Sequence, residues 1–148
     1  MAAPAATSRP RTTVAAEDYL EKIEQLISRK GYARVVDIAT ELKISQASVT
    51  AMVQRLDGEG FVKYEKYRGM VLTSSGLEVA RRIAHRHALL TDFLRAIGVT
   101  DEKVIYDDVE GMEHHISPES FKAIEALTRY LEKTPSVIAK AAAAKAAK

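Results

Sequence analysis

The chain contains no cysteine. Disulfides, thiolate zinc sites and cysteine nucleophiles are thereby excluded together, and hard oxygen and imidazole groups remain as the available metal ligands. Long apolar runs are also missing. No stretch approaches the roughly 18 residues that span a bilayer, so no membrane association is expected. Residues 1–13 carry two arginines with no apolar segment behind them, unlike a secretory signal, and a cytoplasmic location is the expectation. With 47% hydrophobic and 28% charged residues over 148 positions, the composition is that of a globular protein of one domain or two small ones.

The net charge of +2 is unevenly spread. From Arg29 to Met70 there are eight basic against five acidic residues; from Val71 to Thr134 there are eight against eleven. A basic half joined to an acidic half fits a nucleic-acid module attached to something else.

Apolar residues at three- and four-residue spacing (Tyr19, Leu20, Ile23, Leu26, Ile27) predict a helix over 15–28, closed by Gly31. A short helix follows over 35–42, with Val36, Ile38, Ala39 and Leu42 as its apolar set. Ser45 is placed to cap a third helix running to about Leu56, with Val49, Met52, Val53 and Leu56 inside. Over 61–73 the pattern becomes strand, turn, strand around Arg68-Gly69. Ser75 and Glu78 fit a capping box opening a long helix to Ile97, with a stripe of Leu77, Ala80, Ile83, Ala84, Leu90 and Leu94. Further helices are expected over 102–115 and, from the Ser117-Pro118 start signal, through Leu131. Thr134-Pro135 repeats that signal, and the Ala/Lys-rich tail over 139–148 is too short to be expected as ordered helix.

Helix, short helix, turn, helix and a two-stranded ribbon is the order of a winged helix-turn-helix. Its third helix would lie in the major groove of double-stranded DNA. Ser45, Gln46, Ser48, Thr50 and Gln54 are its outward side chains able to bond bases or phosphates, and Arg55 suits phosphate. Lys63, Lys66 and Arg68 on the ribbon suit backbone contact. Any one of these residues is better explained as a solvated polar surface; the ordered set of elements reverses that preference in favour of DNA.

Metal-ligating residue types fall in three segments. Asp18 and Glu21 share one helix face at i, i+3, as do Glu110, Glu113 and His114 at i, i+3, i+4. His87 lies within the apolar stripe of the long helix. Each has an ordinary explanation: an ion pair for Asp18, a core histidine for His87, solvent-facing glutamates. Together, four carboxylates and two neutral imidazoles carry a charge that matches two divalent cations. Oxygen and nitrogen donors without sulfur suit manganese, iron(II), cobalt or zinc.

The segments EDYLEKI (17–23), GYARVVDIATEL (31–42), SVTAMVQRLDGEGFVKYEKYRGMVLTSSG (48–76), HRHALLTDFLRAIGV (85–99) and DVEGMEHHIS (108–117) closely resemble the manganese-responsive members of the DtxR family of metal-dependent repressors. The resemblance covers about 15–130. It implies a mainly α fold with a small β wing: a winged helix-turn-helix over 14–74 and a helical metal-binding and dimerisation domain over 75–138. The flexible basic arm over 1–13 and the Ala/Lys-rich tail over 139–148 are read from composition and have no counterpart in the resemblance. The resemblance also implies metal ligation by Asp18, Glu21, His87, Glu110, Glu113 and His114 between the two domains. Mn2+ is the expected ion, at two per subunit, and other divalent transition metals can substitute. The implied protein is a homodimeric repressor of metal-uptake genes on palindromic operator DNA. Iron-sensing members place sulfur ligands near Asp18 and Glu113, so the oxygens here favour manganese. Ala51 replaces the lysine of familiar members, and Ser45-Gln46-Ala47 replaces their His-Pro-Ser. One additional residue, at Val104-Ile105, precedes Glu110. A di-metal enzyme is not expected, because HExxH and paired Glu-x-x-His motifs are absent. The remaining alternative is a metal-independent winged-helix regulator sensing a small organic ligand.

Overall fold

In a computed structural model, the described residues are 12–147. All but the last two residues of the expected arm lie outside them. The chain divides after Gly76 into two compact units.

In the first unit, α1 (Val14–Lys30) begins where the Thr13 side chain accepts from the Ala16 amide. It ends at Gly31, whose φ of 83° is the left-handed conformation that closes helices. Tyr19, Leu20, Ile23 and Leu26 form its buried face. Next, α2 (Val35–Leu42) is pinned to α1 by charge: Glu41 bonds Arg29 and lies 3.4 Å from Lys22, and Lys30 bonds Asp37 at 3.0 Å. The Arg29 guanidinium, with Lys22 behind it, holds the Glu41 carboxyl below the usual carboxylate range. Lys43, in the left-handed region at φ 55°, makes the turn into α3 (Gln46–Gly58). Ser45 caps α3 by accepting from the Ser48 amide at 3.1 Å.

The strands β1 (Val62–Glu65) and β2 (Gly69–Leu72) pair antiparallel, with Val62 opposite Leu72 and Tyr64 opposite Met70. A bond from the Met70 amide to the Ala33 carbonyl ties this wing to the α1–α2 connection. Leu20, Ile23, Leu26, Ile38, Val49, Val53 and Leu56 are fully buried here. Each contributes about 1.5–3 kcal/mol of burial, which makes this unit a rigid platform for α3 and the wing.

The unit boundary falls in the first turn of α4 (Ser74–Ala96). The second unit continues with α5 (Glu102–Met112), capped by Asp101, α6 (Pro118–Glu132), capped by Ser117 with Pro118 at its first position, and α7 (Pro135–Ala146). Leu90 and Leu94 of α4 pack with Ile105 and Val109 of α5, and Phe93, Val99, Met112, Ile116 and Ile124 close around them.

The mainly helical architecture with one β wing agrees with expectation; several local expectations do not. The first turn of α4 is capped by Thr73, whose hydroxyl accepts from the Gly76 amide at 3.1 Å, and not by a Ser75–Glu78 box. Thr73 prevails because its hydroxyl also donates to the Gly60 carbonyl, which fixes it to the ribbon. Val36 and Ala84 are exposed. Val36 sits about 200° around α2 from buried Ile38, and Ala84 lies about 85° from the mean direction of Ala80, Ile83, Leu90 and Leu94. The helix expected to reach His115 stops at Met112, beyond which the His115 amide bonds the Met112 carbonyl three residues back and tightens the last turn. The residue at Val104-Ile105 is absorbed within α5, where Ile105 is buried. The alanine-rich tail is helical to Ala146, helped by Pro135 at its start and by Lys145, which donates to the Gly98 carbonyl at 3.0 Å.

Candidate metal centre and nucleic-acid interface

The second unit brings together three of the expected ligands. Nδ1 of His87, half-buried on α4, lies 2.9 Å from Glu113 Oε2 and 3.5 Å from Glu110 Oε1. Glu110 is partly exposed on α5, whereas Glu113, in the turn just beyond it, is fully buried. His114 follows, its side chain almost entirely covered, with Nε2 3.4 Å from Glu113 Oε1. That oxygen is buried and makes no hydrogen bond. Burying a carboxylate without full satisfaction is costly, and such groups are normally paired or bound to metal.

The donor set fits a divalent cation. One ligand atom each from His87, Glu110 and Glu113 lies within 4.8 Å of the others. Donors about 2.0–2.2 Å from a shared ion stand at most about 4.4 Å apart, so a shift of a few tenths of an ångström closes the set. Carboxylate and imidazole without sulfur is hard-to-borderline chemistry, suited to manganese and its neighbours. The glutamates expected to face solvent as an ordinary alternative do so only in part: Glu113 is the most deeply buried acid of the unit.

Asp18 and Glu21 lie in the first unit, both half-buried at i, i+3 on α1. His85 and His115 stand apart from the cluster. His85 packs edge-on against Phe121 and approaches Glu125 at 3.7 Å, and His115 is exposed. Two residues near the cluster were not anticipated. The Tyr106 ring meets His87 edge-on at 6.0 Å between centroids, and Arg86 donates to the Glu113 carbonyl at 2.8 Å. Tyr106 precedes Glu110 by four residues, one turn along the same face, a spacing visible in the sequence.

In the first unit the expected DNA-facing residues are all on the surface except Thr50, which is half-buried. Ser45 and Ser48 bond each other at 2.8 Å at the start of α3, so Ser45 serves as the cap. Gln46 and Gln54 are exposed on α3, and Arg55 pairs with Glu59 at 2.7 Å. On the wing, Lys63 is exposed, Lys66 lies over the Tyr67 ring at 5.1 Å, and Arg68 pairs with Glu65 at 3.2 Å. An open groove of about 330 Å³ runs between α2, α3 and the wing, lined by Arg34, Gln46, Thr50, Lys66 and Tyr67 among others. Arg34 and Tyr67 were not among the expected contacts. Tyr67 sits at the wing tip, 90% exposed with φ 70°.

Residues 11–70 match the family described as iron dependent repressor, N-terminal DNA binding domain. Residues 73–138 match its metal binding and dimerisation domain. The chain belongs to the DtxR/MntR family of metal-dependent regulators. The HTH-type transcriptional regulator MntR of Bacillus subtilis (strain 168) is 54% identical over 121 residues, 82% of this chain and 84% of that protein. MntR of Lysinibacillus sphaericus (strain C3-41) is 50% identical over 133 residues, 90% and 95% of the two chains. Among solved structures, the manganese regulator SloR superposes with a TM-score of 0.68 at 28% identity. This chain, 78% of which is covered, spans about half (54%) of SloR's length. Membership of a metal-dependent family disfavours the metal-independent regulator, and the family is one of transcriptional regulators. No helix among the described residues is long and apolar enough to cross a membrane.

Proposed function

We propose that this chain is a manganese(II)-responsive repressor of metal-uptake genes, cytoplasmic and not an enzyme, acting as a homodimer on palindromic operator DNA. The observation that carries this reading is the His87–Glu110–Glu113 cluster, with its buried, unbonded Glu113 oxygen, on a chain whose other unit is a DNA-binding fold. His87, Glu110, Glu113 and His114 would hold the ion from the second unit, the proposed metal-binding and dimerisation domain of 75–138, and Asp18 and Glu21 would supply donors from the first, the proposed DNA-binding domain of 14–74. These six donors match two ions per subunit in charge. The bound cation supplies positive charge that relieves repulsion among clustered carboxylates. MntR relatives at 50–54% identity and the manganese regulator SloR support manganese among the divalent ions.

Ligation by all six donors would couple the two units, because two sit on the DNA-reading unit and four on the other. A palindromic operator requires two recognition helices about 34–36 Å apart. Metal ligation then selects a DNA-competent arrangement from a broader set, and operator DNA reciprocally tightens metal binding, by about 1–3 kcal/mol. On the DNA side, Gln46, Ser48, Thr50 and Gln54 are the base-facing set, with Ser45 at the helix start. Arg55, Lys63, Lys66 and Arg68 serve the phosphates, with Arg34 and Tyr67 added by the groove they share with α3.

Calorimetric titration of metal-free protein with manganese tests the site. Saturation at two ions per subunit is expected, with affinity falling at least tenfold in Glu110→Gln and His87→Ala. Absence of saturable binding, or unaltered binding in both variants, would sink this reading.

A further inference from the structure

Arg86 precedes His87 on α4 and points to a different partner. Its Nη1 donates to the Glu113 carbonyl at 2.8 Å, across 27 positions of sequence. Its guanidinium carbon lies over the Phe121 ring of α6, 5.5 Å from the centroid. The accepting carbonyl stands just past the end of α5, where helices leave carbonyls without intrahelical partners. Arginine at such an end satisfies a terminal carbonyl and complements the negative end of the helix dipole. Arg86 does this from a neighbouring helix.

The turn so held carries Glu113 and His114. Its own backbone bonds are few: Glu113 N to Val109 O, and the His115 and Ile116 amides to Met112 O. Because Arg86 and His87 are consecutive on a rigid helix, a guanidinium fixed on the Glu113 carbonyl sets the height of that turn relative to the His87 imidazole. The planar fork, seated on an aromatic face, restrains direction as well as distance.

We propose that Arg86 is a positioning residue of the metal centre, clamping the Glu113 carbonyl so that the Glu113 side chain is held at the His87 imidazole. The inference rests on the reading of His87, Glu110 and Glu113 as metal ligands. Groups that hold ligands in place commonly change metal affinity by 10–100-fold when removed, and this is the range for Arg86→Met. Packing of α4 against α6 alone would instead make Phe121→Leu, which leaves the carbonyl bond in place, as damaging as Arg86→Met.

The experiment is manganese titration of the full chain and of Arg86→Met, Arg86→Lys, Phe121→Leu and Glu110→Gln, with amide hydrogen exchange on the metal-free proteins. The expected result is manganese affinity lowered 10–100-fold in Arg86→Met, partly restored by lysine, and within threefold of the parent in Phe121→Leu. The Glu113, His115 and Ile116 amides should exchange at least tenfold faster in metal-free Arg86→Met, a change visible without any metal. Affinity and exchange in Arg86→Met within twofold of the parent would overturn the clamp, as would equal losses in Phe121→Leu. Should Arg86→Met not fold, the guanidinium protons of the unaltered protein decide: slow exchange supports the clamp, and solvent-like exchange overturns it. If Glu110→Gln alone retains full affinity, the metal reading fails; if it loses affinity while Arg86→Met does not, only the clamp fails.

Discussion

Replacing Gly76 with alanine should destabilise the DNA-reading unit, although alanine is the better helix former by about 1 kcal/mol. Gly76 lies in the first turn of α4, and a Cβ built on it meets the Phe61 carbonyl oxygen at 2.0 Å and its carbon at 3.0 Å. Both are backbone atoms, so the helix start and the ribbon start must separate by about an ångström. That carbonyl accepts from the Thr73 amide at 3.0 Å. The Thr73 hydroxyl meanwhile bonds the Gly60 carbonyl at 2.7 Å and the Gly76 amide at 3.1 Å. Loss of one such bond removes about 0.5–1.5 kcal/mol, loss of the cap about 0.5–2, and residual overpacking adds about 1–3. Against the alanine gain, the net is a destabilisation of about 1–5 kcal/mol. Urea unfolding followed by circular dichroism reads this as a midpoint about 0.5–2.5 M lower, for a slope near 2 kcal/mol/M. A midpoint at or above that of the parent would show that the close approach does not govern this junction.

Gly69→Ala should also destabilise, by about 2–4 kcal/mol: φ of 108° strains any side chain, and the Cβ would lie 2.7 Å from the Ala33 carbonyl that anchors the wing. An unchanged urea midpoint would contradict this. Glu41→Gln should reduce stability at pH 7 by under about 1 kcal/mol, since the Arg29–Glu41–Lys22 set is partly exposed and screened. The Glu41 pKa is depressed on folding, so its contribution is full above the ordinary value of 4.5 and disappears as pH falls through the lower folded value. A difference between variant and parent that persists undiminished in strong acid would refute that assignment. Lys66→Ala should weaken DNA binding about equally across sequences and reduce the slope of log affinity against log salt by about one; an unchanged slope removes Lys66 from the phosphate contacts.

Much of the fold was legible because each element carries its own period and punctuation. Gly31, Ser45 and Ser117-Pro118 mark the helix ends where the structure has them. The Thr73 cap was missed because three hydroxyl residues in a row, Thr73, Ser74 and Ser75, can all cap locally; the Gly60 carbonyl that selects Thr73 comes from 13 residues away. The clustering of His87 with Glu110 and Glu113 was readable as residue types on shared faces, but the burial of Glu113 was not. It follows from Glu113 keeping helical backbone angles, its amide bonded to the Val109 carbonyl, so that it continues the buried Ile105–Val109 face toward His87. Arg86 gave no signal, because its partner is a backbone carbonyl and carbonyls have no letter in a sequence. The outward Val36 and Ala84 show the limit of reading apolar letters as core: angular position on the helix decides, and both lie off the packed line.

The central claim is that metal occupancy gates operator binding. Fluorescence anisotropy tests it most directly, with a labelled duplex from upstream of a manganese-uptake gene titrated with protein in chelator and then in manganese. The account predicts affinity at least tenfold higher with manganese, and loss of that gain in Glu110→Gln. Equal affinity with and without manganese would contradict it.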